Sequence, residues 1–230
     1  MTVLHLADEG EAADLAAFLA RLLHYDRSAA VRLQGAGTAL AVFGRPPSFE
    51  VLAVRAVRLA KPYENGLDVT LDVTVSAGEL LETVDEAAAT AVVPGAVTGP
   101  PWAGMMPPRG GWRPEPGLPA PDALRALVAA AVAEFRSRTG ELAPGDRTRA
   151  ELDRIGRDIW SRTVGDTGLP VRAVHAAQSL GFLRAPSGAS GSGEDAPVLF
   201  SSGAWLRLRT PYGSVALRRA GTGTLGISVR

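Results

Sequence analysis

The chain has 230 residues, 46% of them hydrophobic and 21% charged, with 24 basic side chains balancing 24 acidic ones. That apolar content excludes a wholly disordered chain, and no run of about 18 apolar residues exists to span a membrane. The chain has no cysteine, which excludes disulfides, thiolate nucleophiles, iron–sulfur clusters and cysteine-ligated zinc.

In chain order, the N-terminal stretch has neither a basic nor an apolar signal-peptide region, so a cytoplasmic location is expected. Residues 9–25 read as an amphipathic helix, with Asp8, Glu9 and Glu11 complementing the dipole at its start. Strands are expected at Ala29–Leu33 and Thr38–Phe43, joined at Gly35-Ala36-Gly37, and then at Phe49–Ala60. Residues 67–76 alternate strictly, Leu67, Val69, Leu71, Val73 and Val75 against Asp68, Thr70, Asp72, Thr74 and Ser76. A period of two means one buried and one wet face, the pattern of an antiparallel sheet. Glu79–Ala91 reads as a second helix.

Nine prolines between Pro94 and Pro121 forbid regular structure there. This connector nevertheless carries Trp102, Met105, Met106 and Trp112. Helices resume at Pro121, with an apolar stripe from Leu124 to Phe135, at Thr148 with Glu151 in capping-box spacing, and near Pro170. Ser187–Glu194 is low-complexity. Ala204–Arg209 and Ser214–Arg219 flank Thr210-Pro211-Tyr212-Gly213, a type I turn sequence, and Leu225–Val229 is a candidate last strand.

The expected fold class is α+β: an antiparallel sheet with flanking helices, a Pro/Gly-rich crossover, a three-helix region and a C-terminal β-hairpin. The expected division is 1–93, 94–120 and 121–230. The alternative is one integrated domain in which the C-terminal strands join the N-terminal sheet.

Familiar catalytic motifs fail on context. Gly221–Gly226 spells G-x-G-x-x-G, but only four residues follow it, too few for the helix a dinucleotide requires. The single lysine, Lys61, precedes Pro62, so no phosphate-binding P-loop exists. His5, His24 and His175 lack metal-ligand spacing, and Asp68 with Asp72 reads as a solvated strand face. No cofactor, metal or catalytic residue is assigned.

Charge is distributed unevenly. Residues 1–108 hold 7 basic and 13 acidic side chains (−6), and residues 109–230 hold 17 and 11 (+6). This pattern suits an anion-binding C-terminal half, or electrostatic matching between the halves. All basic residues except Lys61 are arginine, a composition that GC-rich coding explains better than function does and that is by itself no argument for DNA binding.

Two segments carry functional expectations. Trp102, Met105, Met106, Arg109, Trp112 and Arg113, on a proline-stiffened backbone, have the composition of interface anchors. They make a non-catalytic binding or regulatory protein with a protein partner, or self-association, the first expectation. Gly168–Leu183 opens with a turn and a helix and ends as Leu-Gly-Phe-Leu. In pattern, without a diagnostic motif, it resembles the recognition helix and following strand of winged-helix DNA-binding domains. The resemblance implies nucleic-acid binding by residues 147–219. Arg172, His175, Gln178 and Ser179 would then face bases, while Arg207, Arg209, Arg218 and Arg219 would hold phosphates. A third class, an enzyme on a small anionic substrate, would need Arg109 or Arg113 as clamps and His24 or His175 as acid/base.

Overall fold

In the computed structural model, residues 2–60, 70–184 and 196–219 are described. Gly221–Gly226, Leu225–Val229, Ser187–Glu194 and Asp68 lie outside them. The elements are β1 (Val3–His5), α1 (Glu9–Tyr25), β2 (Ala30–Ala36), β3 (Ala39–Gly44), β4 (Leu52–Arg58), β5 (Asp72–Ser76), α2 (Ala77–Glu82), β6 (Thr90–Val92) and β7 (Arg113–Glu115). There follow α3 (Pro121–Gly140), α4 (Arg149–Trp160), α5 (Val171–Ser179), β8 (Val198–Ser202), β9 (Trp205–Thr210) and β10 (Gly213–Arg218). The fold is α+β.

One eight-stranded sheet runs β5-β2-β3-β4-β10-β9-β8-β7, antiparallel at every pairing. Two meanders, β2-β3-β4 and β8-β9-β10, meet where Ser214 opposes Val54 and Ala216 opposes Leu52. The C-terminal strands therefore continue the N-terminal sheet. Alternation assigns the faces. Val31, Leu33, Leu40, Val42, Ala53, Val57, Leu206, Leu208, Val215 and Leu217 point into the helix-covered core. There they meet Leu15, Phe18, Leu19 and Leu22 of α1 and Val171, Val174 and Ala177 of α5. Helices α3 and α4 pack outside α5.

Local sequence sets the ends of these elements. Asp8 caps α1 by accepting from Glu11 N, and Thr148 caps α4 by accepting from Glu151 N. After α5, Gly181 N–H donates to Gln178 O and Phe182 N–H to Ala177 O, a Schellman stop that needs the left-handed backbone of Gly181 (φ +76°). The chain then returns Phe182 to the core, where its ring stacks on Phe18 at 5.7 Å.

Three expectations need correction. The predicted helix Glu79–Ala91 stops at Glu82, and the chain forms β6 instead. Thr83 Oγ1 donates to Leu80 O and Val92 O, and Asp85 and Thr90 exchange backbone hydrogen bonds. Pairing of β6 with β1 outweighs the helical propensity of Glu86-Ala87-Ala88-Ala89. The connector is not devoid of regular structure: Pro101–Gly104 forms a 3₁₀ turn, and Arg113–Glu115 adds the edge strand β7, where Pro114 is tolerated. Strands β1 and β8 were not anticipated. The β2–β3 turn also falls at Gly37-Thr38, with Ala36 opposite Ala39.

The connector crosses the second face of the sheet as a strap. Val97 N–H donates to Thr74 O beside β5, the Arg32 guanidinium donates to Ala103 O, and Ser202 Oγ donates to Gly110 O beside β8. Midway, Trp102 and Met106 pack on Phe43, Leu52 and Val54. The strap thus covers an apolar patch that the helices cannot reach.

Candidate functional site

The strap-bearing face brings together residues from both predicted segments. Strand β9 points Trp205, Arg207 and Arg209 away from the helices, because Leu206 and Leu208 occupy the alternate positions. On β10 the same face carries Ser214, Ala216 and Arg218, and Arg218 opposes Trp205. Phe200 of β8 opposes Arg207. Arg207 is held by Ser214 Oγ at 3.0 Å and lies 5.8 Å from the Trp112 ring centroid, and Arg209 lies equally far from that of Phe200. Burial, and then the charge of Arg209, push the Arg207 guanidinium below its ordinary value.

A groove of about 220 Å³ opens at the rim of this face. Trp102 and Met105 of the strap line it, with Trp205, Arg218, Arg45 and the Glu50–Arg172 pair. Met105 is 59% exposed. Among the described residues, no carboxylate pairs with Arg45, Arg109, Arg113, Arg207, Arg209 or Arg218, whereas Arg219 is bound to Glu115 at 2.9 Å. Hydrogen bonds from Ser201, then Arg219, hold the Glu115 carboxyl below its ordinary value. At the far edge, Arg32 grips Asp72 through two hydrogen bonds and Gln34 adds a third. The Arg32 bond is the chief cause holding the Asp72 carboxyl below its ordinary value, and the field of Arg109 adds least. Asp72 is therefore an ion-pair partner rather than a free solvated carboxylate.

Helix α5 is placed differently from the other members of the nucleic-acid set. Val171, Ala173, Val174, Ala176 and Ala177 are buried, and only Gln178 is well exposed. Arg172 Nε lies 3.3 Å from Glu50 Oε2, and His175 sits between Phe49 and Trp160, with ring centroids 5.1 and 4.7 Å away. Gln178 and Ser179 border a hollow of about 450 Å³ with Val128, Val132 and Arg136 of α3. Arg172, His175 and Ser179 are half-buried on the side of α5 that carries exposed Gln178, and Arg172 and His175 are already engaged by Glu50, Phe49 and Trp160. For the enzyme expectation, no contact among the described residues joins His24 or His175 to Arg109 or Arg113, and no group of His, Asp and Glu there could hold a metal.

The segment that sequence reasoning missed is Arg45–Val51. Ser48 (φ +71°) and Glu50 (φ +53°) are left-handed without being glycine, on either side of buried Phe49. Such conformations persist only where the surroundings enforce them. Pro46-Pro47 was the one local signal of an unusual path.

These features define an α+β protein on one continuous antiparallel sheet, helical on one face and strapped on the other. The chain belongs to a family described as Domain of unknown function (DUF8185), which matches residues 107–222. A second domain of unknown function, DUF8010, matches residues 1–104. No curated protein matches the chain.

Proposed function

We infer that the protein is a non-catalytic binding protein of the cytoplasm that takes a protein partner on its strap-bearing face. One observation carries this reading: exposed Met105 stands at a groove lined by Trp102 and Trp205, beside Arg45 and Arg218, which have no carboxylate partner among the described residues. An apolar centre rimmed by arginine is the anatomy of an interface hot spot. About 220 Å³ falls below the roughly 300–1,000 Å³ of ordinary small-molecule pockets. It suits one inserted side chain, and the arginines favour carboxylates beside that side chain.

The test is affinity capture by the wild-type chain beside Met105→Glu and Arg218→Glu, with captured proteins identified by mass spectrometry. A partner acidic near its binding segment, captured by wild type and lost from both variants, is expected. Equal capture by all three overturns the reading.

A second reading, nucleic-acid binding, is favoured by Trp205, Arg207 and Arg209 alternating onto one face beside Phe200. It uses the sheet rather than α5, with bases stacked on aromatic rings and phosphates on arginines. Anisotropy titrations with single- and double-stranded DNA at two salt concentrations test it. Salt-sensitive binding of the single strand that Arg209→Ala weakens is expected; no binding at low salt sinks it.

A further inference from the structure

A second, larger cavity lies on the other side of the Glu50–Arg172 pair. It is an open cleft of about 620 Å³ between the Arg45–Val51 segment and helix α4. We propose that this cleft binds a small carboxylate carrying a flat aromatic body, a ligand distinct from the macromolecular partner of the strap-bearing face.

The volume falls within the roughly 300–1,000 Å³ typical of small-molecule sites. Its lining includes the Phe135 and Trp160 rings, whose centroids are 6.0 Å apart, together with Leu152 and Gly156. Trp160 is fixed from behind by stacking on His175 at 4.7 Å, so this aromatic wall is set before any ligand arrives. Flat rings prefer offset or edgewise contact with such a wall.

Charge selects the ligand's polar end. Four charged side chains line the cleft. Asp153 is matched by Arg149 at 3.8 Å, and Glu50 by Arg172. Arg157 makes no ion pair among the described residues, so although the four lining charges sum to zero it is the cation of the cleft left to meet an anion.

Arg172 Nε is buried and out of a ligand's reach, and its guanidinium is held by Glu50 at 3.3 Å. The left-handed residues Ser48 and Glu50 both line the cleft, so the surroundings fix its wall on that side. A carboxylate accepts from two guanidinium N–H groups at once, and Arg157 of α4, without an ion-pair partner among the described residues, offers both.

The experiment titrates phenylacetate into the full chain and follows the Trp160 indole N–H by NMR, assigned with Trp160→Phe. Phenylacetamide, neutral and of the same shape, is the control. Saturable shifts at Trp160 with phenylacetate, and binding on the order of tenfold weaker for the amide and for Arg157→Ala, are expected from loss of a charge-assisted bond. Arg157 is exposed, so its replacement leaves the fold intact, and amide spectra confirm this. Equal binding of acid and amide, no effect of Arg157→Ala, or no saturable shift each overturns the proposal. Binding at the strap-bearing face, read separately at Trp102 and Trp205, is unaffected by that outcome.

Discussion

Glu50 and Arg172 form an ion pair across the seam between the N-terminal and C-terminal halves of the chain, and both side chains line two cavities at once. The pair is held by a left-handed glutamate at φ +53°. Only one other ion pair among the described residues joins residues 1–108 to 109–230, Arg184–Asp14 at 2.8 Å. Two ion pairs among the described residues thus join halves whose net charges are −6 and +6, so most of that excess is not matched between them, and arginines are left free on the strap-bearing face.

Replacing Glu50 separates strain from pairing. The side chains of the pair are 24% (Arg172) and 69% (Glu50) exposed, so the ion pair stabilises by no more than about 1 kcal/mol. Relief of left-handed strain offers a similar amount. Glu50→Gly is expected to change stability by less than about 1 kcal/mol, while Glu50→Val, β-branched and intolerant of positive φ, loses roughly 1–3 kcal/mol. Urea denaturation of both variants checks the contrast; equal losses would mean the ion pair, not the backbone, matters.

Arg55 behaves oppositely because it is buried. Its side chain is 7% exposed and donates to Glu11, Asp14 and the Tyr212 carbonyl. Arg55→Met is expected to cost about 3–5 kcal/mol, since Glu11 stays buried with less compensation. Adding Glu11→Leu should restore much of that loss. Denaturation midpoints of the single and double variants measure the coupling, and additive losses would contradict it.

His175 makes stability depend on pH. Burial lowers its pKa from the ordinary histidine value. The unfolded chain takes up the proton near pH 6.5, roughly the reference value, while the folded chain resists it. Its contribution is therefore complete above that pH and is lost as pH falls through the folded-state value. Melting temperatures of wild type and His175→Phe, compared above the carboxylate range, should show a downward slope toward acid in the wild type alone. Parallel curves would rule His175 out as the cause.

Gly156 lies inside α4, and a methyl group there would meet Trp160 Cδ1 at 3.5 Å, an ordinary contact. Gly156→Ala should stabilise the chain by about 0.5–1 kcal/mol through helix propensity. Calorimetry reads this directly; a loss of stability would show that the Phe135–Trp160 wall does not accommodate the methyl.

Much of this architecture was legible locally. The helix at residues 9–25, the α3 stripe, the Thr148 cap and the Thr210–Gly213 turn each depend on neighbours within a few residues, and the structure places them at those positions. What failed depended on distant partners. Strand β6 forms because β1 lies beside it, and Pro114 joins an edge strand because β8 offers its ladder. Trp102 stood out in the sequence as a large apolar side chain in a proline-rich connector, but its own contact, the Phe43–Leu52–Val54 patch, required β3 and β4 to assemble.

The sequence by itself determined periodicity, capping and turn chemistry, hence the α+β class, because those signals act over one or two helical turns or strand pairs. Only the tertiary structure decided that β10 pairs with β4, that the connector straps the second face, and that Arg172 and His175 of α5 are engaged by Glu50, Phe49 and Trp160. It also decided that Glu50 meets Arg172 between two cavities. Those outcomes rest on which apolar faces are buried together, and burial is a property of the assembled sheet rather than of any segment.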